Sequence, residues 1–137
     1  MKVKCIINNI HAVENYAVRD DLSYYIRMPD GEVDIELGKI YTVYGIEFRG
    51  NAPWFYICGD ESSEYPKPYS SVFFEKTDGR LSKYWVLNET LEGGQKNKAS
   101  LVAKEWVENT SFYEQLLNGD FRAITVFSEL RRLMDLE

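Results

Sequence analysis

The sequence predicts an α+β fold: a strongly bent antiparallel sheet or small barrel of about five strands, followed by two or three C-terminal helices. Three observations carry this. Twelve of the twenty aromatic residues lie between Tyr41 and Trp85, in short apolar runs separated by turn residues. Gly45 interrupts the most apolar of these runs, which marks a bulge or a sharp bend. Beyond the Gly93-Gly94 stretch the apolar spacing becomes helical.

Lys2 to Ile10 carries Val3, Cys5, Ile6, Ile7 and Ile10 and reads as a strand. His11 to Asp21 has no clean period and reads as a loop or a short turn. Leu22 to Met28 is a second strand candidate, closed by the turn Pro29-Asp30-Gly31. Val33, Ile35 and Leu37 alternate with Asp34 and Glu36, a half-buried strand or an extended lead-in. Ile40 to Phe48 is apolar on both faces and should be central or covered. Arg49 to Pro53 is a hairpin loop, and Trp54 to Gly59 its returning strand.

Asp60 to Ser70 is the longest irregular stretch, with two prolines. Within it, Tyr65-Pro66-Lys67-Pro68-Tyr69 reads either as a polyproline II ligand or as a stiff loop packed on the core, the second being favoured. Val72 to Glu75 is a short strand, Thr77 to Arg80 a tight turn, and Ser82 to Leu87 a strand. Asn88 to Ala99 is polar and holds Gly93-Gly94, a linker between a β part and a helical part. Ser100 to Glu108 has helical spacing. Ser111 with Glu114 fits a capping box, Gly119 fits a helix stop, and Asp120 fits the cap of a last helix with Ala123, Phe127, Leu130 and Met134 on one stripe.

A chain of 137 residues, 45% hydrophobic, fits one domain over 1–137, mainly β to residue 90 and helical from residue 98. No apolar run reaches the length of a membrane span. Met1 to Asn9 is too polar for a signal peptide, and two isolated cysteines, Cys5 and Cys58, sit in apolar runs. A cytoplasmic location with buried thiols is therefore expected. The net charge of −6 argues against direct nucleic-acid binding, which needs a basic face. Between His11 and Glu36 seven acids stand against two bases. That stretch is either a solvated face or a docking surface for something positive.

No catalytic motif stands out. His11 is the single histidine, with Glu14 three residues on, so no metal-ligand spacing exists and no cofactor is expected. A small enzyme using His11 with a nearby carboxylate or cysteine is one alternative. Asp60, Glu61 and Glu64 fall in one loop and read as solvated charge rather than a catalytic pair. A peptide-binding accessory domain with an exposed aromatic groove is another alternative.

The segments Leu37 to Ile46, Trp54 to Ile57 and Tyr69 to Glu75 together resemble an SH3-like barrel: a Gly-led strand with Tyr-x-Val, an aromatic return, and a Pro-rich loop entering a Phe-Glu strand. With a helical tail, the whole is similar to small bacterial immunity proteins of polymorphic and contact-dependent toxin systems. The resemblance implies a cytoplasmic, non-enzymatic inhibitor that covers a protein toxin such as a nuclease. It carries no residue-level motif with it. On residue chemistry the expected binding surface is acidic with tyrosine anchors: Asp20, Asp21, Tyr24, Tyr25, Asp30, Glu32, Asp34, Asp60, Glu61, Glu64, Tyr65 and Tyr69.

Overall fold

The computed structural model describes residues 1–26, 28–50, 52–59, 64–92 and 96–137, with the side chains of 91–97 left aside. Among these, the chain forms eight strands in two antiparallel sheets and four helices, in the α+β arrangement that the sequence predicts.

The smaller sheet has the order β2-β1-β6, from β1 (Lys2–Cys5), β2 (Ile40–Thr42) and β6 (Phe74–Asp78). The larger has the order β5-β4-β3-β8-β7, from β3 (Gly45–Arg49), β4 (Ala52–Ile57), β5 (Lys67–Ser70), β7 (Trp85–Glu92) and β8 (Lys96–Ala103). The long run Ile40 to Phe48 is two strands, and it crosses from one sheet to the other. Pairing to β1 ends at Thr42, and pairing to β4 begins at Gly45. Gly45 starts the second sheet where a Cβ would meet Val102 Cγ1 at 3.0 Å and the Leu101 carbonyl at 3.3 Å. The bend is therefore a close approach of backbone to a neighbouring strand. The apolar content on both faces is explained by the two sheets packing against each other, with Phe55 of β4 on Phe74 of β6.

Several segments differ from the sequence expectation, among them Ser71–Phe73, a 3-10 turn where a strand over Val72 to Glu75 is expected, and Ser100 to Ala103, which is part of β8 rather than helical. Residues 11–28 contain a helix, α1 (Tyr16–Tyr25), rather than a loop and a strand. Asn15 caps it by accepting a hydrogen bond from Val18 N–H at 3.2 Å, and Leu22 is its one buried residue. Of the two readings of Val33 to Leu37, strand or extended lead-in, the strand does not form. The segment is a strap held by Val33 N–H on the Asn8 carbonyl and by buried Ile35. The end of the Pro-rich stretch is β5. The favoured reading of that stretch, a stiff segment packed on the core, agrees with buried Pro66 and Tyr69. Residues 88–92 and 96–99 are strand rather than linker: they belong to β7 and β8, whose antiparallel register runs from Trp85↔Ala103 to Glu92↔Lys96, while Gly93-Gly94, the centre of the expected linker, lies outside the described residues.

The helical part accordingly begins at α2 (Lys104–Glu108), followed by α3 (Phe112–Leu117) and α4 (Phe121–Asp135). The Ser111 capping box does not form. Ser111 makes no side-chain cap, and Asn109 instead accepts from Ser111 N–H. Gly119, at φ 75°, ends α3, and Asp120 caps α4 through Ala123 N–H at 2.9 Å. The stripe Ala123, Phe127, Leu130, Met134 is buried. It joins the sheet core through Phe127 against Tyr44. Trp85 donates its indole N–H to the Tyr44 carbonyl at 3.0 Å, tying β7 to the same corner.

Candidate partner-binding surface

The acidic stretch folds into two neighbouring pieces, α1 and the strap that follows it. Val18, Leu22 and Ile26, four residues apart, turn α1 toward the core. Asp20, Asp21, Tyr24 and Tyr25 are left on its exposed side, with Tyr24 71% and Tyr25 40% exposed. The strap is pinned by short polar contacts rather than by a sheet. Asn9 Nδ2 donates to the Asp30 carbonyl at 3.1 Å, and Ile10 N–H to the Gly31 carbonyl at 2.9 Å. Gly31 has φ 72°, and a Cβ there would meet His11 Cδ2 and Ile10 Cγ1 at 2.8 Å. Only glycine fits this turn without displacing its neighbours. Asp30 Oδ1 accepts from Glu32 N–H at 3.1 Å, which fixes the course of the chain into Glu32.

Between the end of α1, the strap and β5 lies a groove of about 360 Å³. Tyr25, Ile26, Met28 and Val33 form one side, and Lys67, Pro68 and Tyr69 the other. Glu32 and Asp34 supply its acids. The structure thus brings Tyr25, Glu32, Asp34 and Tyr69 together, with Asp20, Asp21, Tyr24 and Asp30 on the elements that frame them.

Two of these do not have the character expected of them. Tyr69 is buried at 4% exposure and donates its hydroxyl to Asp34 Oδ1 at 2.6 Å, so it is a wall of the core and no exposed anchor. Asp34 is half-buried and also receives Lys67 Nζ at 3.2 Å, so its charge is matched internally. Tyr65 is half-buried against the core, and Glu64 is exposed. Asp60 and Glu61 lie outside the described residues. By contrast, Glu14, Asp20, Asp21, Asp30, Glu32 and Glu36 make no ion pair among the described residues.

Residue reasoning missed three contributors: Met28, Arg49 and Trp54. Met28, 57% exposed, was hidden inside a supposed strand. Arg49 lies with its guanidinium carbon 4.6 Å from the Trp54 ring centre and 5.5 Å from that of Tyr25, and it donates to Glu47 Oε1 at 2.9 Å. Burial alone would raise the Glu47 pKa. Hydrogen bonds from Arg49 and from the Tyr56 hydroxyl, with the Arg49 charge, more than offset it and hold the carboxyl below its ordinary value. Trp54 is buried under Tyr25, edge to face at 5.2 Å. An arginine five residues before the aromatic pair Trp54-Phe55, on the opposite strand of an expected hairpin, was the available signal.

The residues of the enzyme alternative are dispersed. His11 is exposed on a 3-10 turn, and among the described residues its ring makes no hydrogen bond or ion pair. Cys58 lines a separate open cleft of about 780 Å³, with Lys2, Tyr44, Arg131 and Asp135, and His11 is not part of it. Burial pushes the Cys58 thiol up to about 11, with the Arg131 charge opposing, so it is protonated near neutrality. Neither Cys58 nor Cys5 is in a disulfide. No helix among the described residues is long and apolar enough to cross a membrane. No protein-family model, curated protein or solved structure matches this chain.

Proposed function

We propose that the chain is a non-enzymatic binding protein of the immunity type, whose α1 and strap surface covers and neutralises a basic protein toxin. The observation that supports it is the set of acids left without internal counter-ions, Asp20, Asp21, Asp30 and Glu32, around the exposed side chains Tyr24, Tyr25 and Met28. Unpaired surface carboxylates repel one another and gain nothing for folding. They raise the rate of encounter with a positive surface. Exposed aromatic and methionine side chains supply the apolar area that holds a partner once met. A toxic nuclease carries a basic face for phosphate, so an acidic inhibitor occupies the same surface as its substrate. The His11 enzyme reading draws no comparable support, because its nucleophile candidate and its base do not share a cleft.

The test is capture from lysate of the source cell at low and moderate salt, with the wild type and with Asp20→Lys/Asp21→Lys. The expected result is one basic partner, lost from the variant and recovered less well as salt rises, whose toxic activity the wild type suppresses. Equal capture by both forms, or a captured partner whose activity is untouched, would sink the proposal.

A further inference from the structure

We infer that the groove between the end of α1 and β5 is a socket for one arginine side chain of the partner; this rests on the acidic-surface reading and specifies its anchor. Three features support a guanidinium in particular. First, the groove of about 360 Å³ is walled by exposed Tyr25 and Met28, surfaces that suit the flat, weakly hydrated body of arginine better than a compact ammonium. Second, its charges leave one acid over. Lys67 matches Asp34, while Glu32 makes no ion pair among the described residues. Third, Tyr25 already has a guanidinium beside it, although Arg49 does not line the groove. Arg49 lies over Trp54 and Tyr25 at 4.6 and 5.5 Å, so the aromatic pair is shown to accept such a group from within the chain. In the complex the incoming side chain would lie along Tyr25 and Met28 and donate to the Glu32 carboxylate.

The socket is tested without the partner by calorimetric titration with hexa-arginine and hexa-lysine peptides at low ionic strength. The wild type should bind the arginine peptide more tightly than the lysine one. Glu32→Gln should weaken the arginine peptide about tenfold, because a charge-assisted bond is lost. Glu14→Gln, an exposed acid of the same stretch outside the groove, should stay within about twofold. Equal weakening by the two variants, or equal binding of the two peptides, overturns the socket, because a diffuse acidic field gives that result. Both positions are exposed, so folding is not at stake. The two readings fail separately. A captured partner indifferent to Glu32→Gln overturns the socket alone. A peptide held by Glu32 in a protein whose Asp20→Lys/Asp21→Lys form still captures its partner overturns the acidic-surface reading alone.

Discussion

Single residues fix the candidate surface more than any element does, because the strap has no ladder to hold it. Gly31 is the sharpest case. Its φ of 72° and the 2.8 Å approach to His11 and Ile10 leave no room for a side chain. Gly31→Ala should cost on the order of 1–3 kcal/mol in urea denaturation, from strain and displaced neighbours together. It should also weaken partner binding, since Met28 and Glu32 flank the turn. An unchanged denaturation midpoint would show that the strap is not held this way. Glu47 carries a different prediction, in pH. Its folded value lies below the ordinary 4.5, so its contribution to stability is fully present above that pH. It is lost as pH falls from 4.5 through the lowered folded value. The stability gap between wild type and Glu47→Gln should therefore be widest at neutral pH and shrink in acid. A gap that is constant over the whole range would mean that Glu47 acts by shape and not by charge. Tyr56, which donates to Glu47, is pushed well above the usual phenol range by burial and by that carboxylate, so it remains a donor wherever the carboxylate is ionised.

At the scale of elements, α4 is a helix with a strong cap and a continuous buried stripe, and its energetics should follow from those two features. Asp120→Ala should cost about 1 kcal/mol through loss of the bond to Ala123 N–H. Phe127→Ala should cost about 3–5 kcal/mol, because it empties the contact with Tyr44 at the meeting point of helix and sheet. Thermal or urea unfolding of the two variants checks the order. A larger loss from the cap than from the core would contradict it. Both features of α4 were legible in the sequence, as was the Gly119 stop, because cap, stop and stripe agreed with one another. Elsewhere local preference and long-range packing disagreed. Val18, Leu22 and Ile26 stand at helical spacing, but Tyr-Tyr-Ile has strand propensity, and a helix with one buried residue leaves a faint pattern. β5 was hidden by Pro68, which is tolerated because β5 is an edge strand with β4 as its neighbour. The β7–β8 hairpin was hidden for a related reason. β8 pairs with β3 at Leu101 and Ser100, while its pairing to β7 continues to Lys96. From Ala99 back to Lys96, β8 pairs with β7 and not with β3, and among the described side chains of this part, Asn88 to Thr90 and Lys98 to Ala99, none is buried, so they impose no alternation that could be read. The acids and tyrosines of the candidate surface were legible as composition. That Tyr69 and Asp34 satisfy each other was not, because the pairing joins residues 35 positions apart.

For the whole molecule the governing quantity is where the net charge of −6 sits. Three acid-to-lysine replacements, Asp20→Lys, Asp21→Lys and Glu32→Lys, add six charges and bring the chain to neutrality. So do Glu75→Lys, Glu89→Lys and Glu129→Lys, placed on β6, β7 and α4, away from the α1 and strap surface. If association depended on total charge alone, both triple variants would slow it equally. If it depends on the local field of α1 and the strap, only the first should. Charged positions further than a Debye length of about 10 Å are largely screened at moderate salt, so the second variant should converge on the wild type as salt is raised. The first variant should lose about tenfold or more in association rate at low salt, and its dissociation should be faster too, because Glu32 lines the groove itself. Stopped-flow or surface-capture kinetics with the purified partner, run over a salt series, separates these cases. Equal slowing by the two variants at every salt concentration would leave the acids of α1 with no special role and reduce them to a solvated face.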